Sequence, residues 1–219
     1  MKKLFAVIAV VLVSLSLCAF TSQKEEKPFD IDNLYDYQKE FKSEEIPVCA
    51  ENTTKTYMDY RATTATDSRQ YWFIKDELTV DEETGFLYDK DGFIAVALGS
   101  FYGEIGDRYY FTLESGIVLP LVKAEEKADQ DTDYSGCYHT SDGSVIEFVI
   151  DRNLANNYFG YYNNGYVLQG NYNNYSLFRG RIVKVERVLD EKNESYVTYA
   201  DKDIVEFDNT DIFNYASGY

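Results

Sequence analysis

The chain has 219 residues, with 38 Asp and Glu against 21 Lys and Arg, a formal net charge of −17 and one histidine. A field of that sign repels phosphate backbones and anionic lipids or teichoic acids, which excludes nucleic acid as a natural partner. Hydrophobic residues make up 45 %, enough for a core, but 21 residues are Tyr, whose polar tip suits half-buried strands and flat platforms.

Met1-Lys2-Lys3 is a basic start, followed by an apolar run from Leu4 to Val13 that loosens into Ser14-Leu15-Ser16-Leu17-Cys18-Ala19. A basic region, an apolar region and a small-residue boundary predict a secretory signal peptide over 1–21. A membrane span takes about 20 apolar residues, and this run gives out sooner. Two endings are open. Leu15-Ser16-Leu17-Cys18 resembles a bacterial lipobox, departing from it at Leu17, and lipidation at Cys18 would leave Thr21 to Pro28 as a tether. Cleavage near Ala19 to Thr21 would release the chain instead. Losing Lys2 and Lys3 takes the charge from −17 to −19. The expected location is extracytoplasmic, secreted or lipid-anchored to the cell envelope, with membrane contact only through that lipid.

Residues 22–47 read as a linker, with Ile31, Leu34, Gln38 and Phe41 near helical spacing after Asp30. From Val48 the texture is that of strands. Lys55 to Arg61 alternates, and Gln70-Tyr71-Trp72-Phe73-Ile74 is a compact aromatic run. Thr84-Gly85 and Asp89-Lys90-Asp91-Gly92 are turn clusters bracketing Phe86-Leu87-Tyr88, which predicts hairpins. Phe93 to Leu98 is a fully apolar strand, and Arg108 to Leu113 alternates, then turns at Glu114-Ser115-Gly116 into Ile117 to Leu121. Further strands are predicted over Ser144 to Asp151, Arg181 to Val188, Tyr196 to Tyr199 and Ile204 to Phe207. Many short strands with punctuating turns predict a mainly β fold, a barrel or sandwich. The expected division is a β-barrel domain over 48–190 and a C-terminal β-hairpin and tail over 191–219.

Asn156 to Tyr175 is dense in Asn, Tyr and Gly. It reads first as a long hairpin or loop insertion, and secondly as an aromatic surface that stacks on sugar rings. Cys49 and Cys137 are left once Cys18 is lost or lipidated; in an exported chain they either form a disulfide or stay as buried thiols.

Several phrases are distinctive together. Lys55 to Arg61, Ala97-Leu98-Gly99-Ser100-Phe101-Tyr102-Gly103 with Ile105-Gly106-Asp107, Lys127-Ala128-Asp129, Val145 to Asp151 and Phe178 to Glu186 are similar to a set of uncharacterised exported or phage-associated proteins of Firmicutes. Tyr102 and Asp129, inside those phrases, are candidate binding residues. More distantly the layout resembles a six-stranded double-psi β-barrel, the class of the three-aspartate and rare lipoprotein A-like domains that bind or cleave peptidoglycan glycan strands. That resemblance implies a double-psi-like β-barrel with hairpin extensions. It also implies two catalytic acids, Glu125 at the first acidic position and Glu147 inside the last barrel strand. The sequence carries Glu where those domains usually have Asp, and Glu126-Lys127-Ala128 where they have glycines.

The residue inventory narrows the chemistry independently. With His139 alone, a Ser–His or Cys–His pair would have to use it, and zinc sites usually need more than one. Cys137 and His139 are two apart, as a dyad or metal pair would need, but read better as a surface histidine beside a structural cysteine. The Asp89/Asp91/Gly92 run is too short for an EF-hand loop and reads as a hairpin turn. No phosphate loop, dinucleotide fingerprint or HExxH sequence is present, so no cofactor and no metal is expected. Acid/base work then falls to a carboxylate. Glu147, between Val145-Ile146 and Phe148-Val149-Ile150, is enclosed by apolar neighbours that would keep its carboxyl neutral, unless alternation turns it outward. The expected function is that of an envelope protein engaging peptidoglycan or another surface glycan. Three forms are open: a lytic transglycosylase with Glu147 as acid/base and Glu125 tuning it, a non-catalytic binding module, or a structural surface protein.

Overall fold

The computed structural model describes residues 29–160 and 171–189. The expected signal segment with Cys18, and the hairpin and tail expected over 191–219, lie outside the described residues.

The turns form where the sequence carries glycine between apolar runs. Gly85, Gly92 and Gly116 take positive φ of 76°, 82° and 88°, a region that side-chain-bearing residues avoid. They punctuate β3 (Thr79–Val80), β4 (Leu87–Tyr88), β5 (Ile94–Leu98), β6 (Arg108–Leu113) and β7 (Val118–Glu126). The remaining strands are β1 (Ser43–Ile46), β2 (Thr56–Asp59), β8 (Glu147–Ile150) and β9 (Ile182–Val188). Two α-helices are present among the described residues, α1 (Arg69–Asp76) and α2 (Arg152–Phe159).

All nine strands join one mixed sheet in the order β1-β9-β6-β7-β5-β4-β3, with β8 pairing both β5 and β2. β5 is its centre. Its five residues are all buried, with Ile94, Val96 and Leu98 facing one core and Ala95, together with Phe93 just before the strand, bounding the other, as the period-two pleat requires of a strand covered on both faces. One side of β5 is taken by β7 in parallel; the other is shared, with β4 pairing at Ile94 and β8 at Val96 and Ala97.

That sharing overturns the expected closure. The sheet forks at β5 and ends at β1, at β3 and, along the β8 branch, at β2 without returning on itself, so the domain is mainly β but is not a closed barrel. The exposed Glu44 and Glu45 lie on edge strand β1, where like charge opposes pairing with a second chain.

Three further expectations are corrected. The described part of the 22–47 segment is not a linker. Phe29, Ile31 and Leu34 enter the core, Ile31–Asp36 forms a short 3-10 helix capped by Asp30, and β1 pairs antiparallel with β9. The aromatic run Gln70 to Ile74 is helix α1 and not a strand. Ser68 Oγ caps the Tyr71 amide, and Phe73 and Ile74 bury one face. The start of the Asn/Tyr segment is also helical, because the Asp151 carboxylate accepts from the Asn153 and Leu154 amides and buries Ala155 and Asn156. Tyr172 is fully buried, so it presents no platform to solvent.

Gly85 shows how tightly α2 is docked. A Cβ there would lie 2.6 Å from both Ala155 N and Asp151 O, whereas one at Gly116 meets nothing within 4 Å. Both glycines have positive φ, so Gly116→Ala carries the backbone penalty alone, about 1 kcal/mol. Gly85→Ala adds displacement of α2 and is expected to destabilise by about 2–3 kcal/mol. Equal denaturation midpoints for the two variants would show that α2 yields freely.

The acids of the 89–92 turn serve a structural purpose. Asp89 Oδ2 accepts from Arg108 Nε at 2.7 Å and Asp91 Oδ2 from Arg108 Nη2 at 2.7 Å, with the guanidinium 4.8 Å from the Phe93 ring centroid. Cys49 and Cys137 form a disulfide with Cα atoms 6.1 Å apart, so Cys137 is not a free thiol for a dyad with His139.

Candidate functional site

Glu125 and Glu147 come together through β5. In the antiparallel β5–β8 pair Ala97 lies opposite Glu147, and in the parallel β5–β7 pair Ala97 lies opposite Glu125. Side chains opposite one another share a face of the sheet, so the two acids flank the small side chain of Ala97. Strands lie about 4.8 Å apart, which puts the two backbones about 10 Å from each other. Regular alternation would not give this result. Val96 pairs with Lys123 and Ala97 with Glu125, skipping Ala124. This bulge re-aims Glu125 onto the face of Glu147, a known use of bulges beside functional sites.

Each acid is half-buried. Burial pushes the Glu125 carboxyl up to about 7; the hydrogen bond from Thr63 Oγ1, 3.2 Å to Oε1, opposes this, and the charge of Glu147 adds to it. Burial also raises Glu147, against the pull of Lys127 and His139 and with a push from Asp142. Lys127 is itself buried. Its ammonium donates to Ser144 O at 2.9 Å and Ser144 Oγ at 3.3 Å and lies 3.9 Å from Glu147 Oε2. Lys127 is thus the counter-charge of Glu147.

Two hollows adjoin the pair. One, of about 390 Å³, is lined by Glu147 with Tyr57, Asp59, His139, Asp142 and Arg152. The other, of about 480 Å³, has Tyr60 and Tyr71 in its walls, Ile74, Leu78 and Leu87 as apolar lining, and Thr63, Thr64 and Thr66 as hydroxyl donors. Glu125 lines neither; it reaches the second through Thr63. The 59–63 turn between them is fixed by Arg61, which pairs with Asp59 at 3.0 Å and with Asp151 at the start of α2. Thr63, at the end of this turn, donates to Glu125.

The other expected site residues fall elsewhere. Tyr102 is 2 % exposed in the core, its hydroxyl 3.0 Å from Cys49 Sγ. It packs beside the Cys49–Cys137 disulfide. Asp129 is exposed and accepts from Ser100 Oγ at 3.0 Å, a contact that ties two loops. His139, expected at the surface, is half-buried in the Glu147 hollow, its Nδ1 2.9 Å from Ser141 Oγ. Among the described residues no group of three or more His, Cys, Asp or Glu is arranged to hold a metal, and no helix is long and apolar enough to cross a membrane.

Sequence reading missed Thr63, Arg61 and Lys127. Thr63 carries no local signal, since its partner is 62 residues away, and although Arg61 pairs locally with Asp59, its link to Asp151 spans 90 residues. Lys127 had one in the break of the apolar pattern after Ala124, where Glu125-Glu126-Lys127 puts three charges at a strand end. Comparison with protein-family profiles, with curated proteins and with solved structures finds no match to this chain. The roles assigned to these residues therefore rest on the geometry above.

Proposed function

We propose that this is an exported envelope protein whose sheet carries a carboxylate acid/base centre acting on peptidoglycan or another surface glycan, as a lytic transglycosylase. The supporting observation is the placement of Glu125 and Glu147 on either side of Ala97, with Glu125 held near neutrality. The basic, apolar start of the chain supports export. The mixed sheet, with parallel pairing of β2 with β8 and β5 with β7, supports a distant kinship with the double-psi glycan-binding class in an unclosed form.

In this reading the sequence-based roles exchange. Glu125, neutral near its pKa of about 7, gives its proton to the glycosidic oxygen as the bond from C1 to that oxygen breaks. The resulting carboxylate takes the proton from the same sugar's 6-hydroxyl, whose oxygen closes onto C1 as an anhydro ring. One proton enters and one returns, and no water is consumed. Glu147, which burial raises and Lys127 pulls back toward its charged form, contributes the charge that favours the protonated form of Glu125 and faces the positive charge developing at C1.

A binding module without turnover is the second reading. It is favoured by one observation: Glu125 reaches a hollow only through Thr63. Incubation of the full chain with purified sacculi, followed by mass analysis, separates the two. Anhydro-terminated fragments are expected from the wild type and not from Glu125→Gln, while His139→Ala retains activity. Pelleting with sacculi without release of fragments selects the binding module, and neither pelleting nor fragments removes the glycan reading altogether.

A further inference from the structure

The hollow beside Thr63 is an uncovered part of the second core. Tyr60, Leu78 and Val80 pack against that core yet stay half-buried, while Ile74 and Leu87, which line the same hollow, are buried. Contiguous apolar surface of this kind marks a place where something docks. Its charge is equally out of keeping with the rest of the chain. Among the described residues none of its eleven lining residues is an acid and two, Arg61 and Lys75, are basic, although the chain has 38 acids and a net charge of −17. In the hollow of Glu147, by contrast, three of the seven lining residues are acids. β3 brings Val80 to the hollow and ends the sheet among the described residues, with Thr79 exposed. An apolar, acid-free hollow beside a sheet edge fits an extended segment that adds as a strand, carrying apolar residues on one face and acids around them.

The chain carries such a segment beyond β9, in Asp203-Ile204-Val205-Glu206-Phe207-Asp208. The period of two puts Val205 and Phe207 on one face of a strand there. Val188, the last residue of β9, is buried in the same core as Ile74 and Leu87, so the chain leaves β9 at the layer to which the hollow belongs. From β9 to β3 the sheet order crosses β6, β7, β5 and β4, which is about 24 Å at about 4.8 Å per strand. The 14 residues 190–203 reach about 46 Å when extended. A tether of this length holds the segment at a local concentration on the order of millimolar, ahead of any second copy in dilute solution.

We propose that residues 203–208 dock in this hollow as a strand along β3, with Val205 and Phe207 seated against Leu78, Val80 and Leu87 and the segment's acids facing Arg61 and Lys75. The chain thereby completes its own second core, and the proposal does not depend on the glycan reading.

The test is nuclear magnetic resonance of the full chain with labelled Leu and Val methyls and Phe rings. Overhauser contacts are expected between the Phe207 ring and the methyls of Leu78, Val80 and Leu87. Phe207→Ser is expected to remove them, to shift those methyl signals and to increase quenching of Trp72 by acrylamide. Trp72 is the single tryptophan, and its Nε1 donates at 2.8 Å to the carbonyl of Thr66, which lines the hollow. Unchanged methyl signals of Val96 and Leu98 in β5 report that the variant is folded. Ile204→Ser, on the opposite face of the segment, is expected to keep the Phe207 contacts. Absence of those contacts in the wild type overturns the proposal. So do methyl signals and Trp72 quenching that Phe207→Ser leaves unmoved. Contacts seen only between differently labelled chains in a mixed sample put a second copy in the hollow and overturn it too. Cleavage of sacculi is read separately, so failure here leaves the glycan reading standing.

Discussion

Glu125→Gln is expected to lower glycan cleavage by about 10²–10⁴-fold, the usual cost of losing a general acid/base, and at the same time to make the protein more stable at pH 8. The second half follows from linkage. The Glu125 carboxyl rises from its usual 4.5 to about 7 on folding, so the folded protein holds its proton more tightly than the unfolded chain. The stability contributed by the protonated form is fully present below pH 4.5 and is lost as pH rises through 7. Glutamine keeps the shape and never acquires the charge, so the variant escapes that loss. The full shift corresponds to about 3 kcal/mol, and about 2 kcal/mol is expected because the side chain is partly solvent-exposed. Denaturant midpoints of wild type and variant should coincide near pH 4 and separate between pH 4.5 and 7, the variant being the more stable. A constant difference across that range would mean that Glu125 does not titrate near neutrality. Loss of activity without the gain in stability would point to a structural defect instead.

Reduction of the Cys49–Cys137 disulfide is expected to cost about 4–5 kcal/mol. The two cysteines are 88 residues apart in sequence, and a cross-link over a loop of that size removes this much conformational freedom from the unfolded chain in the loop-entropy account. Native packing adds to the loss. Cys137 is fully buried, its amide is held by Asp133 Oδ1 at 2.7 Å, and Cys49 Sγ lies 3.0 Å from the Tyr102 hydroxyl. The double variant Cys49→Ala/Cys137→Ala should unfold at a much lower denaturant concentration and with a steeper dependence on it, since its unfolded state exposes more surface. Mass analysis of the unreduced, alkylated protein gives an independent check. Two modified thiols on Cys49 and Cys137, or a midpoint unchanged by reduction, would remove the cross-link from the account of stability.

The part of this fold legible in the sequence is the part governed by neighbours in the chain. Glycine at 85, 92 and 116 ends one strand and starts the next because its backbone tolerates positive φ. The unbroken apolar stretch before Gly99 becomes the central strand because only a position covered on both faces accepts it. Glu147 was legible for the same reason, as an acid between β-formers. Local pattern misled where two signals competed. Gln70 to Ile74 is rich in β-formers, but Ser68 caps the run and its buried residues fall on one helical face. Asn156 to Tyr175 has a loop-like composition, yet Asp151 nucleates a helix at its start and the core takes Tyr172.

The sequence by itself determined a mainly β chain, acidic and rich in tyrosine, with an export-like start and with carboxylates as the available acid/base groups, because those properties are sums over residues or patterns a few positions long. Only the tertiary structure decided how these parts work together. The parallel pairing of β5 with β7 passes over β6, and the antiparallel pairing of β5 with β8 joins residues about 50 apart; neither leaves a trace in local spacing. From those two pairings come the fork that leaves the sheet open and the bulge at Ala124. The same pairings set Glu125 and Glu147 on either side of Ala97. The pKa of Glu125 is then fixed by burial, by Thr63 and by Glu147, two of which lie on other strands or turns. A carboxyl group's chemistry depends on the dielectric and charges within a few ångströms, and chain folding, not sequence order, supplies those.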